Sequence, residues 1–160
     1  MKKYLLVFAV FTVLFSACKK SDSNTTTTVD PAVQAKIDDD KIQAYLKANP
    51  SITAIKDPSG LYYQILNPGT GVNPTTKSTI TVAYTGKYLD GTVFQTLPNF
   101  TSVLGAGLIQ GWQIGIPFIK TGGRILLLIP SALGYGPAGK DAIPPNTVII
   151  FTIDLFAVQG

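Results

Sequence analysis

Leu108-Ile109-Gln110-Gly111-Trp112 carries the chain's only tryptophan, directly after a glycine and behind two large aliphatic residues. An indole buries a large rigid surface and its N–H wants one acceptor. Two readings are open at this point: a core residue beside a turn, or the floor of an apolar pocket for a small hydrophobic guest. Gln110 to Gly115 has room for one or two helical turns before Pro117. The stretch lies between two β-rich halves.

Before it, Leu61 to Leu66 is a β run ended by Asn67-Pro68-Gly69. Thr79 to Leu89 alternates, with Ile80, Val82, Tyr84 and Tyr88 on one side and threonines and Lys87 on the other. That is a half-buried strand, with Gly86 placed to form a bulge. Leu89-Asp90-Gly91-Thr92 is a hairpin signal, and a short strand, Val93-Phe94-Gln95, follows it. Pro98 to Gly107 is expected to be a loop containing Phe100. Its Gly105-Ala106-Gly107 is no dinucleotide fingerprint, because no third glycine and no βαβ unit accompany it.

After the tryptophan, Gly122-Gly123 marks a turn. Arg124 to Ile129 is almost continuously apolar, which suits a strand covered on both faces. Ser131 to Pro145 is a long Gly/Pro-rich loop around Tyr135, and its turn chemistry predicts order. Thr147 to Val158 is the closing strand, with Ile149, Phe151, Ile153 and Leu155 on one face. The pattern predicts an α+β domain over 59–160, an antiparallel sheet covered by one short helix.

Upstream, Asp30-Pro31 combines an N-cap acid with proline at the first helical position, and Asn49-Pro50 stops the helix near Ala48. This N-terminal extension, 30–49, has two options, packing on the main domain or pairing with a second copy, and packing is favoured. Asp38-Asp39-Asp40 is expected to be a solvated face.

At the start, Lys2 and Lys3 precede an apolar run from Leu5 to Phe15. Eleven apolar residues are short for a bilayer span and suit a secretory signal over 1–17. Phe15-Ser16-Ala17-Cys18 resembles a bacterial lipoprotein cleavage box, with phenylalanine where leucine is commoner. The resemblance implies acylation of Cys18 and a membrane anchor. Lys19 to Val29 is polar and threonine-rich, and 18–29 is expected to be a flexible tether. The expected location is the periplasmic side or the outer membrane of a Gram-negative bacterium, because no aspartate follows Cys18 directly.

Composition removes several chemistries. There is no histidine, and Cys18 is the single cysteine. Ser-His-Asp and Cys-His sites are excluded, as are His-rich metal sites and an intramolecular disulfide. The formal charge is +4, and without Lys2 and Lys3 it is +2, from 11 basic and 9 acidic residues. No basic cluster interleaves with aromatics, so no nucleic acid partner is expected.

Five motifs now stand in order: Val82-Ala83-Tyr84-Thr85-Gly86, Asp90-Gly91-Thr92-Val93-Phe94, Leu108 to Trp112, Gly134-Tyr135-Gly136 and Ile143-Pro144-Pro145-Asn146. With the final strand Val148 to Leu155, they closely resemble the FKBP-type peptidyl-prolyl cis–trans isomerases over about 59–159. The family fold is an antiparallel half-barrel wrapped around a short helix, in agreement with the pattern. The resemblance implies catalytic roles for Tyr84, Phe94, Ile109 and Tyr135. It implies a substrate pocket of Tyr84, Phe94, Gln95, Phe100, Leu108, Ile109, Trp112, Tyr135 and Phe151, with Trp112 as floor and Ile143 at the rim. The Ile109 N–H and the Tyr135 hydroxyl would donate to substrate carbonyls.

One position departs from the family. Gln95 stands where an aspartate usually bonds to the tyrosine matching Tyr84. Glutamine keeps an acceptor and loses the charge. The implied partners are proline-containing segments of unfolded exported proteins, and macrolide inhibitors, with no cofactor, no metal and a monomeric state. The competing reading is a binding module or holdase with weakened catalysis, favoured by Gln95.

Overall fold

The computed structural model describes residues 29–105 and 107–160. The leader, the start of the tether and Cys18 lie outside the described residues. Helix α1 runs Pro31–Ala48, and the Asp30 carboxylate caps it by accepting from the backbone N–H of Ala32 and Val33. The strands are β1 (Ile55–Lys56), β2 (Tyr62–Asn67), β3 (Thr79–Tyr88), β4 (Val93–Val103), β5 (Arg124–Ile129) and β6 (Ile149–Gln159). Helix α2, Gln110–Gly115, runs into a 3-10 turn at Ile116–Phe118. All pairings are antiparallel, and the sheet order is β1-β2-β5-β6-β3-β4.

The sheet is covered on both faces. Ile125, Leu127 and Ile129 of β5, with Phe151, Ile153 and Leu155 of β6, join Ile80, Val82 and Tyr84 of β3 against Trp112 and Ile116. The alternate residues Leu126, Leu128 and Ile150 pack with Tyr62 and Val148 against Ile42 of α1. The unbroken apolar run of β5 thus has a physical cause: each of its faces meets a helix. Helix α2 lies very close to β5. A Cβ on Gly111 would stand 2.7 Å from the Ile129 side chain, so only glycine allows the helix to sit there.

Two expectations change. Pro98 to Gly107 is not a loop throughout, because β4 continues from Val93 to Val103 and includes Pro98 and Phe100. Strand β4 is the sheet edge, where a proline without an N–H costs no ladder bond. Its pairing with β3 shifts register twice, between Val82 and Tyr84 and between Gly86 and Lys87, each time with one extra residue on β4. The inward side chains are therefore Phe94, Leu97 and Phe100, spaced by three, and the period of two is lost. The bulge at Gly86 is thus real, with the extra residue on the facing strand.

The acidic run is the second correction. Only Asp40 is exposed, and it accepts from Lys36 of the same helix at 2.8 Å. Asp38 is 0% exposed and accepts from Ser131 and Gln34. Asp39 accepts from the Tyr62 hydroxyl at 2.7 Å and from Lys56 at 2.6 Å. A docked helix puts one turn of any charged run against the domain, and here two of the three acids meet donors there. Val33 and Ile37 remain exposed.

Candidate functional site

Strands β3 and β6 set the back of the site. Tyr84 pairs with Ile153 and with Leu97, and its ring points to the α2 side of the sheet. One strand over, Phe151 pairs with Gly86. A Cβ on Gly86 would stand 2.5 Å from the Phe94 ring and 2.7 Å from the Phe151 ring. Glycine here lets the two rings close over the strand. They meet edge-on, with centroids 5.6 Å apart.

Trp112 closes the base. Tyr84, Phe151 and Phe100 stand nearly perpendicular to it, at centroid distances of 4.9, 5.2 and 6.1 Å. It is 4% exposed, yet it lines a cavity of about 270 Å³ with Tyr84, Gln95, Leu97, Phe100, Leu108, Ile109, Tyr135, Lys140, Phe151 and Gly107. Trp112 is thus at once a core residue and a lining residue of the cavity. Its Nε1–H is buried without an acceptor among the described residues.

Ile109 is the N-cap of α2, so its N–H stands outside the helix ladder, and the residue lines the cavity. Its extended backbone conformation turns the chain from the Gly107-Leu108 stretch into the helix, and Gln113 Nε2 donates to the Leu108 carbonyl at 2.7 Å. The loop after β5 is ordered by a 3-10 turn, Ser131–Leu133, by reciprocal backbone bonds between Lys140 and Ile143, and by an Asn146 N–H to Gly136 carbonyl bond. The Tyr88 hydroxyl donates to the Ala142 carbonyl at 2.7 Å. This loop brings Tyr135 to the cavity.

Ile143 and Phe94 line a smaller adjoining cavity of about 160 Å³, with Asp141 and Ala142, and it shares Gln95, Tyr135 and Lys140 with the first. Phe94 thus supports Phe151 from behind and faces the adjoining cavity. Leu97, Lys140 and Gly107 were not foreseen. Leu97 and the inward turn of the chain near it follow from the bulges of β4, which no short motif announces. Lys140 stands over the Tyr135 ring, its Nζ 5.8 Å from the centroid.

Burial pushes the Tyr84 phenol above its ordinary value, helped by Tyr135 nearby. Burial does the same to Tyr135, helped by Asp141. Both hydroxyls are therefore protonated donors across the neutral range. Among the described residues there is no group of three His, Cys, Asp or Glu side chains able to hold a metal. The arrangement is an aromatic cup with the Tyr84 and Tyr135 phenols, the Gln95 amide and the Lys140 ammonium among its lining groups. It can hold an apolar ring and donate to carbonyls, and it offers no strong nucleophile.

The sequence profile of the FKBP-type peptidyl-prolyl cis-trans isomerase matches residues 71–156, just over half of the chain. FKBP-type peptidyl-prolyl cis-trans isomerase FkpA of Escherichia coli K12 is 39% identical over 104 residues, which are 63% of this chain and 38% of that protein. Outer membrane protein MIP of Legionella longbeachae is 36% identical over 126 residues, 74% of this chain and 53% of its own length. The chain thus matches about two fifths to a half of the length of these relatives. The crystal structure of FkpA from Escherichia coli superposes with a TM-score of 0.67 at 32% identity, over 80% of this chain and 63% of that one. A peptidyl-prolyl cis-trans isomerase from Pseudomonas syringae gives 0.68 at 26% identity, over 84% and 99%. With more than half of its residues under the family profile and its fold shared with solved members, the chain belongs to the FKBP-type peptidyl-prolyl cis-trans isomerases.

Proposed function

We propose that the protein is a peptidyl-prolyl cis–trans isomerase that assists the folding of exported proteins, with the cavity over Trp112 as its active site. The observation that carries this reading is the cup itself, about 270 Å³, floored by Trp112, walled by Tyr84, Phe100 and Phe151, and edged by Ile109 and Tyr135. Amide rotation meets a barrier of about 18–20 kcal/mol because resonance keeps the bond planar. No bond to a heavy atom is made or broken, so the absence of histidine is no obstacle.

A proline ring fits the tryptophan floor. As the X–Pro amide twists it loses resonance and becomes less polar, and an apolar cup favours that form over water. The Ile109 N–H and the Tyr135 hydroxyl donate to substrate carbonyls and hold the chain on either side of the twisting bond. Lowering the barrier by about 5–7 kcal/mol corresponds to roughly 10⁴–10⁵-fold. Tyr84, Phe94 and Phe151 keep the cup dry and rigid, and Gln95, Leu108 and Ile143 line its approaches.

The location proposed is the cell envelope, with 1–17 as a cleaved leader, 18–29 as a tether and Cys18 as the acylated anchor. This rests on the lipoprotein-like box and on a relative bearing the name of an outer membrane protein. Macrolide binding and a monomeric state belong to the same reading. A second reading, a holdase, is favoured by Gln95 alone. Refolding of a protein with a slow proline phase separates the two. An isomerase accelerates that phase at catalytic ratios. Suppressed aggregation at stoichiometric ratios, with an unchanged slow phase, would replace the isomerase by the holdase.

A further inference from the structure

The loop that carries Tyr135 is anchored by a residue of the N-terminal helix. The Ser131 carbonyl accepts from the N–H of Gly134 at 3.0 Å and of Gly136 at 2.8 Å, the two neighbours of Tyr135. Ser131 is held from its other side. Its N–H and its hydroxyl both donate to Asp38 Oδ2, at 2.8 and 2.6 Å. The other carboxylate oxygen accepts from Gln34 Nε2 at 2.7 Å. Asp38 and Ser131 are both essentially inaccessible, at 0% and 1% exposure.

A buried carboxylate is costly unless every lone pair meets a donor, and a hydrocarbon side chain would fill the same space on α1 without that cost. What the carboxylate adds is direction: it fixes one backbone N–H and one hydroxyl of a single residue. A 3-10 turn of three residues has poor hydrogen-bond geometry of its own and gains most from such an anchor. Asp38 also lies outside 71–156, so it is a property of the extension.

We propose that Asp38 is a positioning residue for the isomerase site: through Ser131 it sets the Tyr135 loop, and so places the Tyr135 hydroxyl at the cavity. The proposal rests on reading that cavity as the substrate site. The coupling belongs to Asp38 alone, through its two hydrogen bonds to Ser131, and not to the rest of α1.

The test is a double-mutant cycle in the full chain, read as kcat/KM on an X–Pro peptide beside thermal melting. Asp38→Ala is combined with Tyr135→Phe, and Ile42→Ala serves as a control that weakens the packing of α1 without touching Ser131. The expected result is a fall of about three- to thirtyfold for Asp38→Ala, largely absent in the Tyr135→Phe background. Ile42→Ala should lower the melting temperature and leave kcat/KM of the folded protein within about twofold. If Asp38→Ala does not fold, Ser131→Ala removes the hydroxyl bond alone and must show the same dependence on Tyr135. Equal losses in both backgrounds, an unchanged kcat/KM, or a matching loss in Ile42→Ala would overturn the proposal. A natural chain that binds the peptide without turning it over would sink the isomerase reading instead, and the same cycle would then be judged on peptide affinity.

Discussion

Trp112 is nearly inaccessible and still forms the floor of a cavity, so a change there acts on stability and on binding together. Trp112→Ala is expected to cost about 3–5 kcal/mol by thermal or denaturant unfolding and to end peptide binding. Gly86→Ala is subtler. The added methyl meets the Phe94 and Phe151 rings at 2.5–2.7 Å, and neither ring can retreat without reopening the cup. A loss of about 1–3 kcal/mol is expected, with a lower kcat/KM in the protein that remains folded.

Gln95 lines the cavity beside Tyr84 without a hydrogen bond to it among the described residues, and a carboxylate there would offer the Tyr84 hydroxyl a charged acceptor, worth about 1.5–3 kcal/mol. Gln95→Asp is therefore expected to raise kcat/KM by up to about tenfold, by progress curves on one X–Pro peptide. The pH profile of the natural chain follows from its tyrosines. Raised phenol values keep both hydroxyls protonated, so kcat/KM should be flat from about pH 6 to 9. A bell-shaped profile would point to a titrating group absent from this account.

Tyr84, Phe94, Trp112 and Tyr135 were legible in the sequence because each sits in a short motif with its own glycine. Lys140 was not, since its place depends on how the 131–145 loop folds back over Tyr135.

Among the elements, β4 and α1 show what a one-dimensional pattern misses. Strands are sought by a period of two, and two bulges give β4 a spacing of three between Phe94, Leu97 and Phe100. Helix α1 was placed to within a residue from Asp30-Pro31 and Asn49-Pro50, because caps are local chemistry. The buried face of α1 is set by the domain it docks on. Ile42 marks it, whereas Asp38 and Asp39 gain their partners from Ser131, Tyr62 and Lys56, which are distant in the chain.

The docking of α1 gives an acid-limb prediction. The hydrogen bond from Lys56, then that from Tyr62, holds the Asp39 carboxyl below its ordinary range. A depressed carboxyl contributes stability that is complete above its unfolded value, about 4, and is lost as pH falls below it. The natural chain should therefore lose more melting temperature between pH 5 and 3 than Asp39→Asn, in buffers of equal ionic strength. An equal loss in both would show that Asp39 does not couple α1 docking to pH.

For the molecule as a whole, the sheet links two helices of different purpose. Helix α2, on one face, supplies Trp112 and Ile109. Helix α1, on the other, reaches around the sheet end to Ser131 and the loop of Tyr135. The half-barrel was legible from five ordered motifs, which act as landmarks spaced by turns. The coupling between its two sides was not, because it depends on one buried carboxylate within an acidic run.

The work proposed for this cup is to lower the barrier to X–Pro rotation. The measurement is exchange between cis and trans X–Pro resonances of a short peptide, by NMR, with the protein at about a hundredth of the peptide concentration. Exchange far faster than the uncatalysed interchange, which takes roughly tens to hundreds of seconds, is expected, with a return to that rate in Trp112→Leu. Uncatalysed exchange with the natural chain, at concentrations where the peptide is bound, would contradict it.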